Sequence, residues 1–384
     1  MFLFYLVASI FAEDSSVFFA DIFVYVFFFE RKKTVLNSKL SDAEIVLVIY
    51  CVWYLFSVAL NAPEASINRL MASINTVLLW FISFFLYFAY KNLNLDKIVI
   101  SKIAFYNMLI MNILSLLYFL FPQINFSFLG RTFIGVDWLD GDKTTRFFCF
   151  FEYPNLIDAF CLIMFPLSLL FVVKSFSRFY AYIYCFFSLF PILASASRSG
   201  ILLSVVMIAN GILYIRANLP KKNLSNKLIV TMSLCLLILC LLLFNNVIIS
   251  QLDSIFFSRS GSNNTRFSLY QYSVQKMLDK SPLFGCGIKE TIPQFGEHIP
   301  LGSHSTYLGV LYKTGIVGFV IFLLAIFFIV KSIIENNHFD MYITVFISIF
   351  ILFLTFEDVD GADWLLALVL SVAGCLSGQT FKEY

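Results

Sequence analysis

The sequence predicts an all-α polytopic membrane protein of about 11–12 transmembrane helices, and three observations predict it. Of 384 residues, 60% are hydrophobic and only 13% are charged, where a soluble domain carries about 25% charged residues. Apolar stretches recur that are long enough to cross a hydrocarbon core about 30 Å thick. The basic residues, finally, fall mostly on one side once the loops are assigned alternately, as the positive-inside bias requires.

Spans are expected at about 17–29, 43–60, 70–90, 98–122, 156–173, 179–196, 200–215, 227–249, 306–330, 340–356 and 364–378. Residues 2–12 are apolar but short, a half-span or a twelfth crossing. The chain reads as a single transmembrane domain, 1–384, with two large loops at 123–155 and 250–305. Of the 26 Lys and Arg, fifteen lie on the side away from those loops. That side is therefore read as cytoplasmic and the long loops as extracytoplasmic. The N-terminus has neither a basic start nor an A-x-A site, so no cleaved signal peptide is expected. The eight cysteines show no CxxC or Cys/His ligand spacing and support neither a disulfide framework nor a zinc site. A net charge of +2 gives no reason to expect a nucleic-acid partner.

The two sides differ in the kind of positive charge they carry. The cytoplasmic set is Lys-rich, whereas the outer set includes Arg69, Arg131, Arg146, Arg198, Arg259 and Arg266. Topology needs only charge, but a planar bidentate fork suits phosphate and carboxylate. An anionic ligand on the outer face is the implication.

Four outer stretches hold polar groups that a simple anchor would not need. "TTRFFCFFEYPNLIDAF" (144–160) brings Arg146, Glu152 and Asn155 to the mouth of a span. "SASRSGILLS" (195–204) squeezes Arg198 between two spans, where it must reach headgroups or a partner. Residues 259–288 hold Arg266, an amphipathic stretch and a Pro/Gly turn. "GSHSTYLGVLYKTGIVG" (302–318) sets His304 at the start of an apolar run. The blander readings are solvated loop charges for Arg146 and Arg266, lipid snorkelling for Arg198 and a polar anchor for His304. The Asp-x-Asp patterns in "DGD" (140–142) and "EDVDGAD" (357–363) could hold a hard divalent cation. Acids two apart also occur by chance, and no metal site is assigned.

In this order (Arg then Pro-Asn, Ser-Arg-Ser-Gly opening a span, Arg-x-x-x-aromatic ahead of "DKSPLFGCGI", then "HSTYLGVLYKTGIVG") the residues resemble the O-antigen ligase/polymerase superfamily, the Wzy-type polysaccharide polymerases and their lipopolysaccharide ligase relatives. The resemblance is strongest over about 130–330. Family members usually carry Asn soon after the His, whereas Ser305, Thr306 and Tyr307 follow here.

The resemblance implies a bacterial inner-membrane glycosyltransferase, metal-independent and without a cofactor, whose active site faces outward. Its implied donor and acceptor are oligosaccharides on undecaprenyl pyrophosphate, drawn from the membrane lipid, with a flippase and a chain-length regulator as further partners. His304 would be the general base, since an imidazole suits proton abstraction near neutral pH. Arg198 and Arg266, with Arg146 as a third, would hold the pyrophosphate, and fixed charge in a low-dielectric site is well suited to that. Glu152, Asn155 and Tyr307 would support them. The expected activity is polymerisation of repeat units. A ligase moving a finished glycan to a lipid or protein is the alternative within the superfamily. A flippase or transporter without catalysis is the alternative of another class, disfavoured by the few ionisable residues within spans, Asp21 and Asp158 being the clearest.

Overall fold

The computed structural model describes residues 39–93, 97–128, 131–139, 142–219, 260–292, 300–337 and 341–378. The expected spans at 17–29 and 227–249, the short stretch 2–12, and Asp21 lie outside the described residues.

The helices are α1 (Asp42–Asn61), α2 (Ile67–Asn92), α3 (Lys97–Leu120), α4 (Asn155–Ser175), α5 (Arg178–Phe187), α6 (Phe190–Ser195), α7 (Arg198–Asn218), α8 (Ser260–Lys280), α9 (Thr306–Asn336), α10 (Met341–Phe353) and α11 (Asp363–Ser377). Among the described residues seven stretches, one of them the α5–α6 pair, are long and apolar enough to cross a membrane. The protein is thus an all-α polytopic membrane protein. The expected span at 179–196 is not one helix but α5 and α6, parted at Ser188–Leu189 with Pro191 in the first turn of α6. Proline is tolerated there because the first-turn N–H groups have no intrahelical acceptor to lose. The expected spans at 340–356 and 364–378 are the shorter α10 and α11.

The chain forms two compact units. In the first, α4 lies at the centre and is buried along most of its length. It packs on α3, α6 and α7, and no polar face shows in its run of buried Leu, Ile, Phe and Met. Between α3 and α4 the chain makes two small antiparallel hairpins, β1 (Ser127–Phe128) with β2 (Arg131–Thr132) and β3 (Ile134–Leu139) with β4 (Asp142–Phe147). The apolar pattern did not signal them. Buried Phe133 and Phe147 anchor them, 5.2 Å apart edge to face, with Phe126 stacked on Phe133 at 4.8 Å.

In the second unit α9 packs on α1, and α11 on α2. Helix α1 buries Leu47, Tyr50, Tyr54 and Val58 while exposing Ile45, Ile49, Val52 and Phe56. An apolar face turned outward on a helix of spanning length is the signature of contact with lipid.

Helix α9 is interrupted. Gly315 has φ 66° and ψ −172°, so the α-helical ladder fails there. A broken ladder inside a membrane must find other partners for its backbone groups. The Pro/Gly turn 282–287 supplies them. Cys286 N–H donates to the Tyr312 carbonyl at 2.8 Å and Gly287 N–H to the Lys313 carbonyl at 2.9 Å. In return Ile316 N–H donates to the Pro282 carbonyl at 2.9 Å. Helix α1 closes the joint, since Trp53 Nε1 donates to Thr314 O at 2.9 Å and Ser57 Oγ to Lys313 O at 2.7 Å. The approach is so close that a Cβ at Gly315 would lie 2.5 Å from the Gly285 amide nitrogen.

This joint makes a direct prediction. Gly315→Ala meets both a left-handed φ and backbone atoms, and should destabilise by at least about 2 kcal/mol. Thermal unfolding of the detergent-purified protein should show it. Gly361→Ala, whose Cβ would meet nothing closer than 3.5 Å, is the matched control. Equal melting of Gly315→Ala and wild type would mean that the break tolerates displacement.

Candidate functional site

His304 stands one residue before the N-cap of α9, and Ser305 caps the helix by accepting from Leu308 N–H at 3.4 Å. Its own backbone is left-handed, with φ 64°. That conformation costs a non-glycine residue about 1–3 kcal/mol and persists only when the surroundings over-determine it. They do so here. Tyr270 donates its hydroxyl to the His304 carbonyl at 2.9 Å, and Gly302 N–H donates to Ser273 Oγ at 2.9 Å. On the far side Thr306 N–H reaches the carbonyls of Leu354 and Glu357, and Thr306 Oγ1 donates to Glu357 O at 2.7 Å.

Helix α8 is what positions this turn. Arg266, Tyr270 and Ser273 are spaced i, i+4, i+7 and so share one helical face. Tyr270 and Ser273 grip the loop, and the charge of Arg266 acts on the imidazole. Burial, then Arg266, then Lys289 lower the His304 pKa from its usual value to about 4. The ring is therefore a neutral proton acceptor at neutral pH. No carboxylate among the described residues pairs with Arg266.

Behind His304 lies a cluster of four opposite charges. Lys313 is buried in α9 and pairs with Asp360, and Trp80 Nε1 donates to the same carboxylate oxygen at 2.9 Å. Lys289 pairs with Asp358 and stands 3.8 Å from Asp360 Oδ1. Burial alone would push the Asp360 carboxyl up, but Lys313 and Lys289 outweigh it and hold it well below the usual range. Burial raises Asp358 to about 6, with Lys289 opposing and Asp360 adding to the rise. The acidic stretch 357–363 thus spends two of its carboxylates on lysines rather than presenting them to a cation. Among the described residues no three His, Cys, Asp or Glu converge as a metal site. In "DGD", Asp140 lies outside the described residues.

The other expected site residues separate into distinct surroundings. Tyr307 is in the first turn of α9, its hydroxyl donating to Ile351 O at 2.9 Å. Arg198, Arg146, Glu152 and Asn155 belong to the first compact unit, whereas His304, Arg266 and Tyr307 belong to the second. Arg198 is the first residue of α7, half-buried, after the left-handed Ala196 and the N-cap Ser197. Arg146, on β4, is buried, and its Nε and Nη2 both donate to the Ser195 carbonyl, at 3.0 and 2.5 Å. It braces the end of α6, the turn that delivers Arg198. Ser195 Oγ in turn donates to Asp158 Oδ1 at 2.7 Å. Gly200 lies so close to that carboxyl group that a Cβ would overlap it. Glu152 pairs with Arg131 at 2.7 Å, and Asn155 opens α4 half-buried.

Lys289, Asp358, Asp360 and Trp80 are the site neighbours that residue patterns did not assign. Lys313 was the available signal, because a lysine inside an apolar run needs a carboxylate partner.

Fold and site together define a polytopic membrane protein with a strained, cation-flanked histidine at the start of an interrupted helix. Residues 183–323 match the family described as O-antigen ligase, which bears out the resemblance to the O-antigen ligase/polymerase superfamily. The matched stretch includes Arg198, Arg266, the 282–287 turn, His304 and the α9 break. No curated protein matches the chain.

The electrostatics of His304 can be checked by titration. Its native pKa of about 4 lies below the usual value of 6.5. Between those values the unfolded chain binds the extra proton, so His304 lowers stability as pH falls through that window. Arg266→Gln removes one cation, and the native pKa should move up toward about 6.5. Diethyl pyrocarbonate modifies only neutral imidazole, so its rate at His304 should fall off at higher pH in the variant than in wild type. Coincident profiles would mean that burial alone sets the value.

Proposed function

We propose that the chain is a membrane glycosyltransferase acting on lipid-pyrophosphate-linked oligosaccharides, and that it polymerises repeat units at the outer face of a bacterial cytoplasmic membrane. The observation that carries this reading is His304, held neutral in a strained backbone beside Arg266, with which no carboxylate among the described residues pairs, within the segment matching the O-antigen ligase family. Glycosyl transfer needs the acceptor hydroxyl to lose a proton as it attacks the anomeric carbon, and the departing pyrophosphate to be stabilised. His304 takes the proton, and Arg266 stabilises the leaving group. Binding of an anion beside Arg266 also raises the basicity of His304, because it cancels a charge that lowers it. The base is therefore strengthened when the donor arrives.

Arg198 has the same proposed role on the strength of its motif. Arg146, through Ser195, is proposed as a positioning residue for that turn rather than a direct ligand. The proposed partners are undecaprenyl-pyrophosphate-linked donor and acceptor, with a flippase and a chain-length regulator acting upstream and alongside.

The family's description favours a second reading, a ligase that transfers a finished glycan to a lipid or protein acceptor. A product ladder of many repeat lengths supports polymerisation; a single capped product supports ligation. The α9 break and the buried Lys313–Asp360 pair also occur in the vocabulary of transporters. Synthesis of polymer by the detergent-solubilised protein, with no membrane to cross, separates enzyme from transporter.

His304→Gly is the sharpest test of the enzyme. Glycine adopts φ 64° freely, so this variant should be at least as stable as wild type. Its transfer activity should fall by about 10²- to 10⁴-fold, with lipid-linked repeat units accumulating. Lys331→Gln, at an exposed ion pair on α9, should leave activity unchanged. Near-normal polymer from His304→Gly would make His304 an interface residue and not the base.

The proposed orientation has its own test. An epitope inserted after Lys222 should be reached only in permeabilised cells, and one at Asn264 should be reached in intact cells. The reverse pattern would place His304 on the cytoplasmic side.

A further inference from the structure

The cluster behind His304 is unevenly matched. Asp360 receives Lys313 and Trp80 Nε1 on one oxygen, in a pocket where both charged side chains are almost wholly buried. Lys289 stands 3.8 Å from the other oxygen, Asp360 Oδ1, and adds a weaker second charge to that pair. Lys289 differs from Lys313 in two respects. Its side chain is 19% exposed, where Lys313 is 1% exposed. Its charge acts on His304, as that of Arg266 does. Asp358, like Asp360, keeps one carboxylate oxygen, Oδ1, buried without a hydrogen-bond donor. A buried carboxylate short of donors and beside a second carboxylate is poorly stabilised as an anion. The raised pKa of Asp358 is the same fact in another form.

Lys289 also sits where it can reach both ways. It is two residues beyond Gly287, the residue fixed to the Lys313 carbonyl at the α9 break. Its root is therefore rigid, while a four-carbon stem carries the ammonium through a large arc.

We propose that Lys289 is a cation of the anion site beside His304, held by Asp358 while the site is empty and transferred to the pyrophosphate of the lipid-linked donor when it binds. This rests on the reading that the His304–Arg266 face is that site. The exchange breaks no bond of the lipid-linked donor. As the ammonium leaves, Asp358 takes up one proton from the buffered solvent and becomes neutral, and two cations then flank the pyrophosphate in place of one. Lys289 is a binding residue in this scheme and Asp358 a positioning residue.

Equilibrium binding of farnesyl pyrophosphate to the purified full-length protein tests it, with farnesol as the tail-only control. Lys289→Gln should weaken pyrophosphate binding by about tenfold or more while leaving farnesol binding unchanged. Asp358→Asn, which releases the lysine, should bind at least as tightly as wild type. The double variant Lys289→Gln/Asp358→Asn removes both charges and keeps the pocket neutral, so folding is protected. It should bind as weakly as Lys289→Gln alone. Recovery of wild-type affinity in the double variant would show that Lys289 only neutralises Asp358, and would overturn the proposal. So would a weakening in Asp358→Asn. Arg266→Gln separates this failure from that of the underlying site: if it binds farnesyl pyrophosphate like wild type, the His304–Arg266 face is not the anion site at all. If Arg266→Gln weakens binding and Lys289→Gln does not, the face stands and the role of Lys289 falls.

Discussion

The mating of the 282–287 turn with the break in α9 is the constraint on which the rest of the second unit depends. An interrupted helix inside a membrane leaves amides and carbonyls that water cannot satisfy. The turn satisfies them with reciprocal backbone hydrogen bonds, and α1 adds Trp53 and Ser57 from the other side. The charged residues around His304 in this unit hang from the joint. Lys289 lies two residues after Gly287, Lys313 supplies one of the bonded carbonyls, and His304 immediately precedes the N-cap of the helix that the joint interrupts. Glycine is required at 285 and 315 because each backbone enters the space a Cβ of the other would occupy, both at positive φ.

The break also divides α9 into parts with different duties. Before Gly315 the helix is buried at Thr306, Gly309, Val310, Tyr312 and Lys313. After it, Ile316, Val320, Leu323, Leu324 and Phe327 are exposed, an apolar face suited to lipid. The first part is fixed by bonds to the turn and to the 351–360 segment.

Much of the architecture was legible because lipid imposes a simple rule: each apolar run of sufficient length crosses. The expected spans at 43–60, 70–90, 98–122, 156–173 and 200–215 correspond to α1, α2, α3, α4 and α7 within a few residues. The rule fails where backbone conformation rather than hydrophobicity decides. A run of Phe, Ile and Leu reads alike whether or not a proline at 191 starts a new helix, and Gly315 in "KTGIVG" looks like a packing glycine. The hairpins at 127–147 were illegible for a related reason, since their anchors Phe133 and Phe147 sit among many other phenylalanines. Residue identity gave His304, Arg266 and Arg198 as candidates. It did not give Tyr270 as the residue that holds His304 in its strained backbone, although the aromatic four places after Arg266 was part of the motif. The contact is made to a carbonyl, and main-chain acceptors leave no mark on the sequence.

Charge placement follows from the same difference between buried and exposed surroundings. A lysine inside a span must be neutralised at once, because an unpaired buried charge costs several kcal/mol. Lys313 and Asp360 meet that demand, with Trp80 fixing the carboxylate, and their pairing leaves little net field at the site. Arg266 is under no such demand. It is half-buried, unpaired among the described residues, and close enough to depress the imidazole. An arginine does not lose its proton to relieve the repulsion, so its charge adds to burial, the larger cause, in holding His304 below its usual pKa. The positive field at His304 is therefore maintained by one fixed cation and one tethered cation, and an anion is the natural complement to both. Within the protein, Asp358 supplies that complement through a single oxygen, with Asp360 more distant. On the proposed reading a pyrophosphate, with more oxygens and more charge, would replace Asp358 as the partner of Lys289.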